Sequence, residues 1–216
     1  MKRILTILFI LTISVSAFSL GISAGVGADA AYGWSTLSTT FGGTTSTMTI
    51  SDVPLNFKGF IDFTYVEASV GYMMVNGYTS ITKPANTTTN STDKTGSLSL
   101  SLMAKYPFNL GPVTLFPLAG FQYVMNLSAT DSSGHDQKAA MSADNKANLD
   151  QFWLAAGVGA DISFGSIYIR PEILVGYKLL SKFENDTVTS AKNSGATSAS
   201  WTPLAVSGGV SVGFKF

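Results

Sequence analysis

Charged side chains are scarce in this sequence, and those that could do chemistry lie mainly inside apolar, alternating segments. Lys58, Asp62, Glu67, Lys105, Asp161, Arg170, Glu172, Lys178 and Lys215 each sit between apolar neighbours. Carboxylates and cations at such positions can neutralise one another, relay protons or select ions. Turn chemistry sharpens the pairing. With Gly165-Ser166 as a two-residue hairpin turn, Phe164 faces Ile167, and counting back sets Asp161 opposite Arg170. The same count around Thr64-Tyr65 sets Asp62 opposite Glu67, two acids that need Lys58, Lys105, Lys215 or Arg170 beside them. A charge-balanced plug is the expected result, with a selectivity filter or proton relay as the alternative.

Catalytic groups are harder to assemble. The one histidine, His135, lies in Ser132-Ser133-Gly134-His135-Asp136. Serine, histidine and aspartate invite a triad reading. Neighbours in one polar stretch, however, lack the separate rigid supports that a nucleophile and its base need. Asp131, Asp136, Asp144 and Asp150 do not match the spacing of an ordered calcium loop. There is no cysteine, so no thiolate metal site and no disulfide framework exists. The glycines around Val26 belong to a strand pattern rather than a phosphate cradle. No catalytic residue, metal or cofactor is expected. Asn86, Asn90 and Asn185 match a glycosylation pattern by composition alone.

The elements that carry these charges read as strands. The segment 204–216 places Leu204, Val206, Gly208, Val210, Val212, Phe214 and Phe216 on one face, with Ala205, Ser207, Gly209, Ser211, Gly213 and Lys215 on the other. Side chains alternate across a strand, so one face wants apolar surroundings and the other small polar ones. Similar alternation marks 20–34, 53–63, 66–78, 97–106, 113–127, 152–162 and 167–179, which makes eight strands in all. Within every one of them the charges fall on the face opposite the apolar phase. Pro117 and Pro171 lack a ladder N–H, and a local irregularity is expected at Pro117.

The connections alternate between short and long. Thr64-Tyr65, 109–112 and Gly165-Ser166 are tight; 35–52, 79–96, 128–148 and 181–200 are long and rich in Ser, Thr, Asn and Gly. Transmembrane barrels show that asymmetry, with an even strand number, short periplasmic turns and long external loops. Composition agrees. Only 12% of the 216 residues are charged, against about 25% in an average soluble domain. No apolar run beyond the N-terminus approaches the roughly 20 residues of a membrane helix. Aromatic girdles are expected from Phe63, Tyr106, Phe108, Phe164, Phe214 and Phe216 at the turn end, and from Tyr32, Trp34, Tyr78, Tyr123 and Phe152 at the loop end. A soluble lipocalin-like barrel would share the strand count but turn the apolar faces inward.

The N-terminus reads as an export signal. Lys2 and Arg3 precede an apolar core over 4–15, and Val15-Ser16-Ala17 offers a small-residue cleavage site, so residues 1–19 are expected to be a cleaved signal peptide and 20–216 the barrel. Losing Lys2 and Arg3 from 13 basic residues leaves 11 against 13 acidic ones. That balance offers no basic footprint for nucleic acid.

Together, the export signal, the eight strands and the closing Val210-Ser211-Val212-Gly213-Phe214-Lys215-Phe216 resemble small outer-membrane barrels of the OmpA membrane-domain, OmpX and OmpW kind. The resemblance implies an all-β, eight-stranded antiparallel up-and-down transmembrane β-barrel in the bacterial outer membrane. It also implies a monomer in contact with lipid, whose last strand (Val210, Val212, Phe214, Phe216) is an assembly signal for the outer-membrane machinery. The implied role is non-enzymatic: structural, or surface interaction through the loops with extracellular partners. The alternative is transport or binding of small hydrophobic molecules, as in OmpW-like proteins. An open pore is not expected, because porin channels need roughly 16 to 18 strands. In the upper lumen Met73, Val75, Met103, Phe116, Leu118, Val124, Trp153, Leu174 and Leu180 face inward among glycines. Core packing is one outcome there. A pocket walled by Met73, Met103, Phe116, Leu118, Trp153 and Leu174 is the other.

Overall fold

A computed structural model describes residues 21–139, 141, 146, 149–179 and 182–216, so the expected signal peptide, Leu20, Asp144 and Leu180 lie outside the described residues. Among these residues the chain forms nine strands and one helix: β1 (Ile22–Phe41), β2 (Thr44–Phe63), β3 (Val66–Lys83), β4 (Thr87–Lys105), β5 (Phe108–Leu110), β6 (Val113–Thr130), β7 (Gln151–Phe164), β8 (Ile167–Leu179), α1 (Lys182–Asn193) and β9 (Ser198–Lys215). Each long strand pairs antiparallel with its chain neighbours, and β9 returns to β1, with Ser23 opposite Lys215 and Phe214 opposite Ala24. Phe216 adds a bond from its N–H to the Ile22 carbonyl, 3.0 Å away. The ring is closed and leaves no edge.

β5 continues β4 in the same register along β6, so eight strands make the ring. The break between them has a local cause. Tyr106 donates its N–H to the Pro117 carbonyl at 3.2 Å, and Pro117 has no N–H to return. Pro107 follows, equally without a donor. The irregularity expected at Pro117 thus appears in the strand beside it, while β6 runs straight through.

The phase of the alternation decides what the barrel faces. Val26, Phe57, Val70, Leu100, Val158, Ile173, Val175 and Val210 point outward and are 42–68 % exposed, whereas Lys105, Asp161, Arg170 and Glu172 point inward and are buried. A continuous apolar belt of this extent has no place in water. It also excludes the lipocalin-like arrangement. Aromatic rings crowd both rims: Tyr106 and Phe108 meet edge to face at 5.1 Å between centroids, as do Phe214 and Phe216 at 5.4 Å. Phe121 stacks on Phe152 at the other rim, 5.7 Å apart.

Three expectations need correction. The segments 35–52 and 79–96 are not loops: β1 and β2 run on to a turn at Gly42-Gly43, and β3 and β4 to one at 84–86. Their threonines are β-branched and ladder across the strands, Thr36 to Thr49 at 3.0 Å and Thr40 to Thr45 at 2.9 Å. Together with the upper part of β9 they raise one side of the barrel well above the belt. The connection 181–200 contains α1, which has Glu184 in its first turn and Lys192 in its last, a charge order that suits the helix dipole. Finally, Tyr78 leaves the outward phase. A register shift where β3 meets β2, with Gly77 at a φ of 90°, inserts one residue and turns Tyr78 to the lumen rim.

Candidate functional site: the barrel lumen

Two levels divide the lumen. The lower one, toward the short turns, centres on Arg170. Its Nε donates to Asp161 Oδ1 at 2.6 Å, one Nη donates to Asp161 Oδ2 at 3.0 Å and to Asp62 at 2.5 Å, and the other donates to Glu67. Asp62 also receives Lys105. The acids that oppose each other across the first hairpin, Asp62 and Glu67, therefore share one guanidinium arriving from the far wall. Phe60, Phe116 and Tyr168 lie around its carbon at 5.0–5.1 Å. Their aromatic faces supplement the carboxylates in offsetting the cation's lost hydration.

Glycines create room for those rings. A Cβ on Gly25 would approach Phe60 to 2.5 Å, and one on Gly159 would approach Phe116 to 2.4 Å. Arg170 and Phe116 are 1 % exposed and Tyr168 0 %, so water does not reach the centre of this level. Just above it, Lys58 donates to Glu172 at 2.8 Å and lies 3.4 Å from Asp29, which also accepts from Asn56 at 2.9 Å. Lys215 joins differently. It donates to the Ser163 hydroxyl at 2.7 Å and lies over Tyr168, with no carboxylate partner among the described residues.

Of these residues Asp29 went unread in the sequence, although its signal was present: an acid on the small-residue face of β1. Tyr168 was missed for want of any charge to mark it.

Above the knot the lumen opens into a chamber of about 500 Å³. Met73, Met103, Leu118, Trp153 and Leu174 line it, as do Val75 and Val124; Phe116 does not, being packed into the floor against Met103 and Leu118. The chamber exists because its other walls are short. Ala31 and Gly33 on β1, Ser97 and Ser101 on β4, and Ala205 and Ser207 on β9 leave the centre unfilled. Gln137, Met141 and Leu149 border it from the connection between β6 and β7. At the same end of the barrel Lys178 donates to Glu184 of α1 at 2.5 Å.

His135 is not part of the chamber lining. Its side chain is 80 % exposed and its Nδ1 is 3.3 Å from Asp131. Asp131 also accepts the N–H groups of His135 and Ser133, and the His135 backbone bond above all holds its carboxyl below the usual carboxylate range. Asp136 accepts from the Ala139 N–H instead. These are turn closures, and Asp131 rather than Asp136 meets the imidazole. Among the described residues no group of three or more His, Cys, Asp or Glu side chains is placed to hold a metal.

A closed ring pairs its strands without leaving an edge, and with an apolar exterior, aromatic rims and a charged lumen it suits a bilayer. The molecule is an outer-membrane-type β-barrel. Comparison with known proteins adds only fold likeness. No protein-family model matches the chain, and no curated protein matches it in sequence. Among solved structures it is similar to Neisserial surface protein A, at 15% identity over 91% of this chain and 99% of that one, with a TM-score of 0.43. It is also similar to the outer membrane protease OmpT from Escherichia coli, at 8% identity over 94% and 100% of the two chains, with a TM-score of 0.46. The translocator domain of the autotransporter NalP from Neisseria meningitidis aligns at 9% identity, over 100% of this chain and 95% of that one, with a TM-score of 0.29. The fold assignment rests on the chain's own register.

Proposed function

We propose that this protein is a monomeric, non-enzymatic barrel of the bacterial outer membrane with a structural or surface-interaction role. The observation that carries this reading is the Arg170 knot. Asp62, Glu67, Lys105, Phe116, Asp161, Tyr168, Arg170 and Ser211 are all at most 9 % exposed although they lie inside a membrane barrel. Such a floor blocks passage, so the parts available for action are those beyond the membrane: the raised strands of β1 to β4 and the connections beside β7 and α1. The turn-closing role of His135 supports a non-enzymatic reading. The closed ring supports a monomer, because no strand edge remains for a second copy. The outward Val210, Val212 and Phe214 of β9, with Phe216 just after it, suit recognition by the assembly machinery, and the belt supplies the lipid contact.

Planar-bilayer recording tests the blocked floor. The purified protein should give no channel steps, and regular steps whose size changes on substitution of a floor residue would refute the reading.

The chamber favours a second reading, the binding of small hydrophobic molecules from the outside. Met73, Met103, Leu118, Trp153 and Leu174 provide its apolar wall. A sealed floor makes this binding rather than passage through the barrel.

A further inference from the structure

Chamber polarity is one-sided. Among the described residues, Asp29, Asp52, Glu67, Asp93 and Glu172 line it, against the ammonium groups of Lys58 and Lys178. Glu67 is answered from below by Arg170, and Lys178 by Glu184. Lys58 alone serves both Glu172 and Asp29. Asp52 and Asp93 form no ion pair among the described residues. Negative charge is therefore left over on the chamber walls.

Individual atoms agree with that balance. Glu172 Oε1, Asp29 Oδ1 and Asn126 Oδ1 are buried without a hydrogen-bond partner, although Lys58 stands 3.4 Å from the second of them. All three belong to residues that line the chamber, and Glu172 and Asn126 are each 6 % exposed. Every one is an acceptor. Buried acceptors lacking a donor are costly, so the complementary group is a hydrogen-bond donor, and beside two carboxylates a cationic N–H donor is favoured over a neutral one. The surface next to Glu172 is apolar: Leu174 follows it on β8, and Leu118 and Met103 pack on Leu174.

We propose that the chamber binds small organic cations, an ammonium group on an apolar skeleton, with the head on Glu172 and Asp29 and the skeleton against Leu174, Leu118, Met103 and Met73. This rests on the chamber-binding reading above and names the ligand class for it. An anion meets uncompensated carboxylates there. A neutral apolar molecule leaves the acceptors unanswered.

Three probes on one skeleton test it: 4-phenylbutylamine, 4-phenylbutan-1-ol and 4-phenylbutyrate, titrated calorimetrically into the full-length protein in lipid nanodiscs, with protein-free discs as the control for partitioning. The amine should bind about tenfold tighter than the alcohol, the scale of one desolvated charged hydrogen bond, and the butyrate weakest. Glu172→Gln should bring amine and alcohol to within about threefold of each other. Because Glu172 also holds Lys58, Asp52→Asn provides a variant that breaks no ion pair; it should weaken the amine about threefold through loss of the wall's field and leave the alcohol unchanged. Equal or tighter binding of the alcohol or the butyrate overturns the cation inference while the chamber-binding reading stands. No binding by any probe above the disc control overturns both.

Discussion

The floor and the chamber are built from the same inward pattern of glycines, small polar residues, charges and occasional large side chains, yet one is solid and the other hollow. In the floor, three large rings rest on or beside glycines and every nitrogen of Arg170 meets a carboxylate. In the chamber, large side chains occupy one wall while β1 and β9 present Ala31, Gly33, Ala205 and Ser207. Glycine by itself therefore does not signal packing. A ring from another strand must reach it, and only the lower level supplies enough of them.

Breaking the floor should have the largest effect. Arg170→Met strands Asp62, Glu67 and Asp161 without their shared cation, and removal of one partner from a buried ion cluster costs roughly 3–5 kcal/mol. Urea unfolding in detergent micelles, followed by electrophoretic mobility, should show that loss. Asp52→Asn in the chamber should stay within about 0.5 kcal/mol of wild type by the same assay.

The contrast presupposes that the apolar phase meets lipid. Leu100→Arg on the belt should cost about 2–4 kcal/mol near the bilayer midplane in the same unfolding titration, provided the protein is refolded into vesicles. Unchanged stability there would show that this face is not in hydrocarbon.

Glycine substitutions sharpen the comparison at smaller scale. Gly159→Ala puts a methyl group 2.4 Å from the Phe116 ring and should cost about 1–3 kcal/mol through overpacking. Gly176→Ala, whose methyl group meets Trp153 at 3.2 Å beside open volume, should cost less than about 0.5 kcal/mol. His135→Ala, outside both levels, should leave stability and probe binding unchanged.

Local register was legible in the sequence, and long-range closure was not. A two-residue turn fixes which residues face each other, so the meeting of Asp161 with Arg170 could be counted from Gly165-Ser166. That Arg170 also reaches Asp62 and Glu67 depends on how the barrel staggers as it closes, which no single hairpin records. The raised hairpins were obscured by composition: Thr44, Thr45, Thr47 and Thr49 look like loop residues, but they are β-branched and pair when a neighbouring strand is present. Tyr78 was misplaced because a single inserted residue at Gly77 reverses the phase, and alternation alone cannot show a bulge. The helix α1 lay hidden in a polar stretch whose only cues were Glu184 and Lys192. Whether the upper lumen would be filled was undetermined by pattern, since it depends on how far side chains reach across the barrel.

Ser207 and Ser211 provide the most direct test of the sealed floor beneath an open chamber. They lie four residues apart on the inward face of β9; Ser207 lines the chamber and Ser211 is 1 % exposed. The chain has no native cysteine, so Ser207→Cys and Ser211→Cys can each be labelled alone. With a membrane-impermeant methanethiosulfonate reagent on the folded protein in nanodiscs, Ser207→Cys should react rapidly and Ser211→Cys only after unfolding. Comparable rates at the two positions in the folded protein would contradict the account.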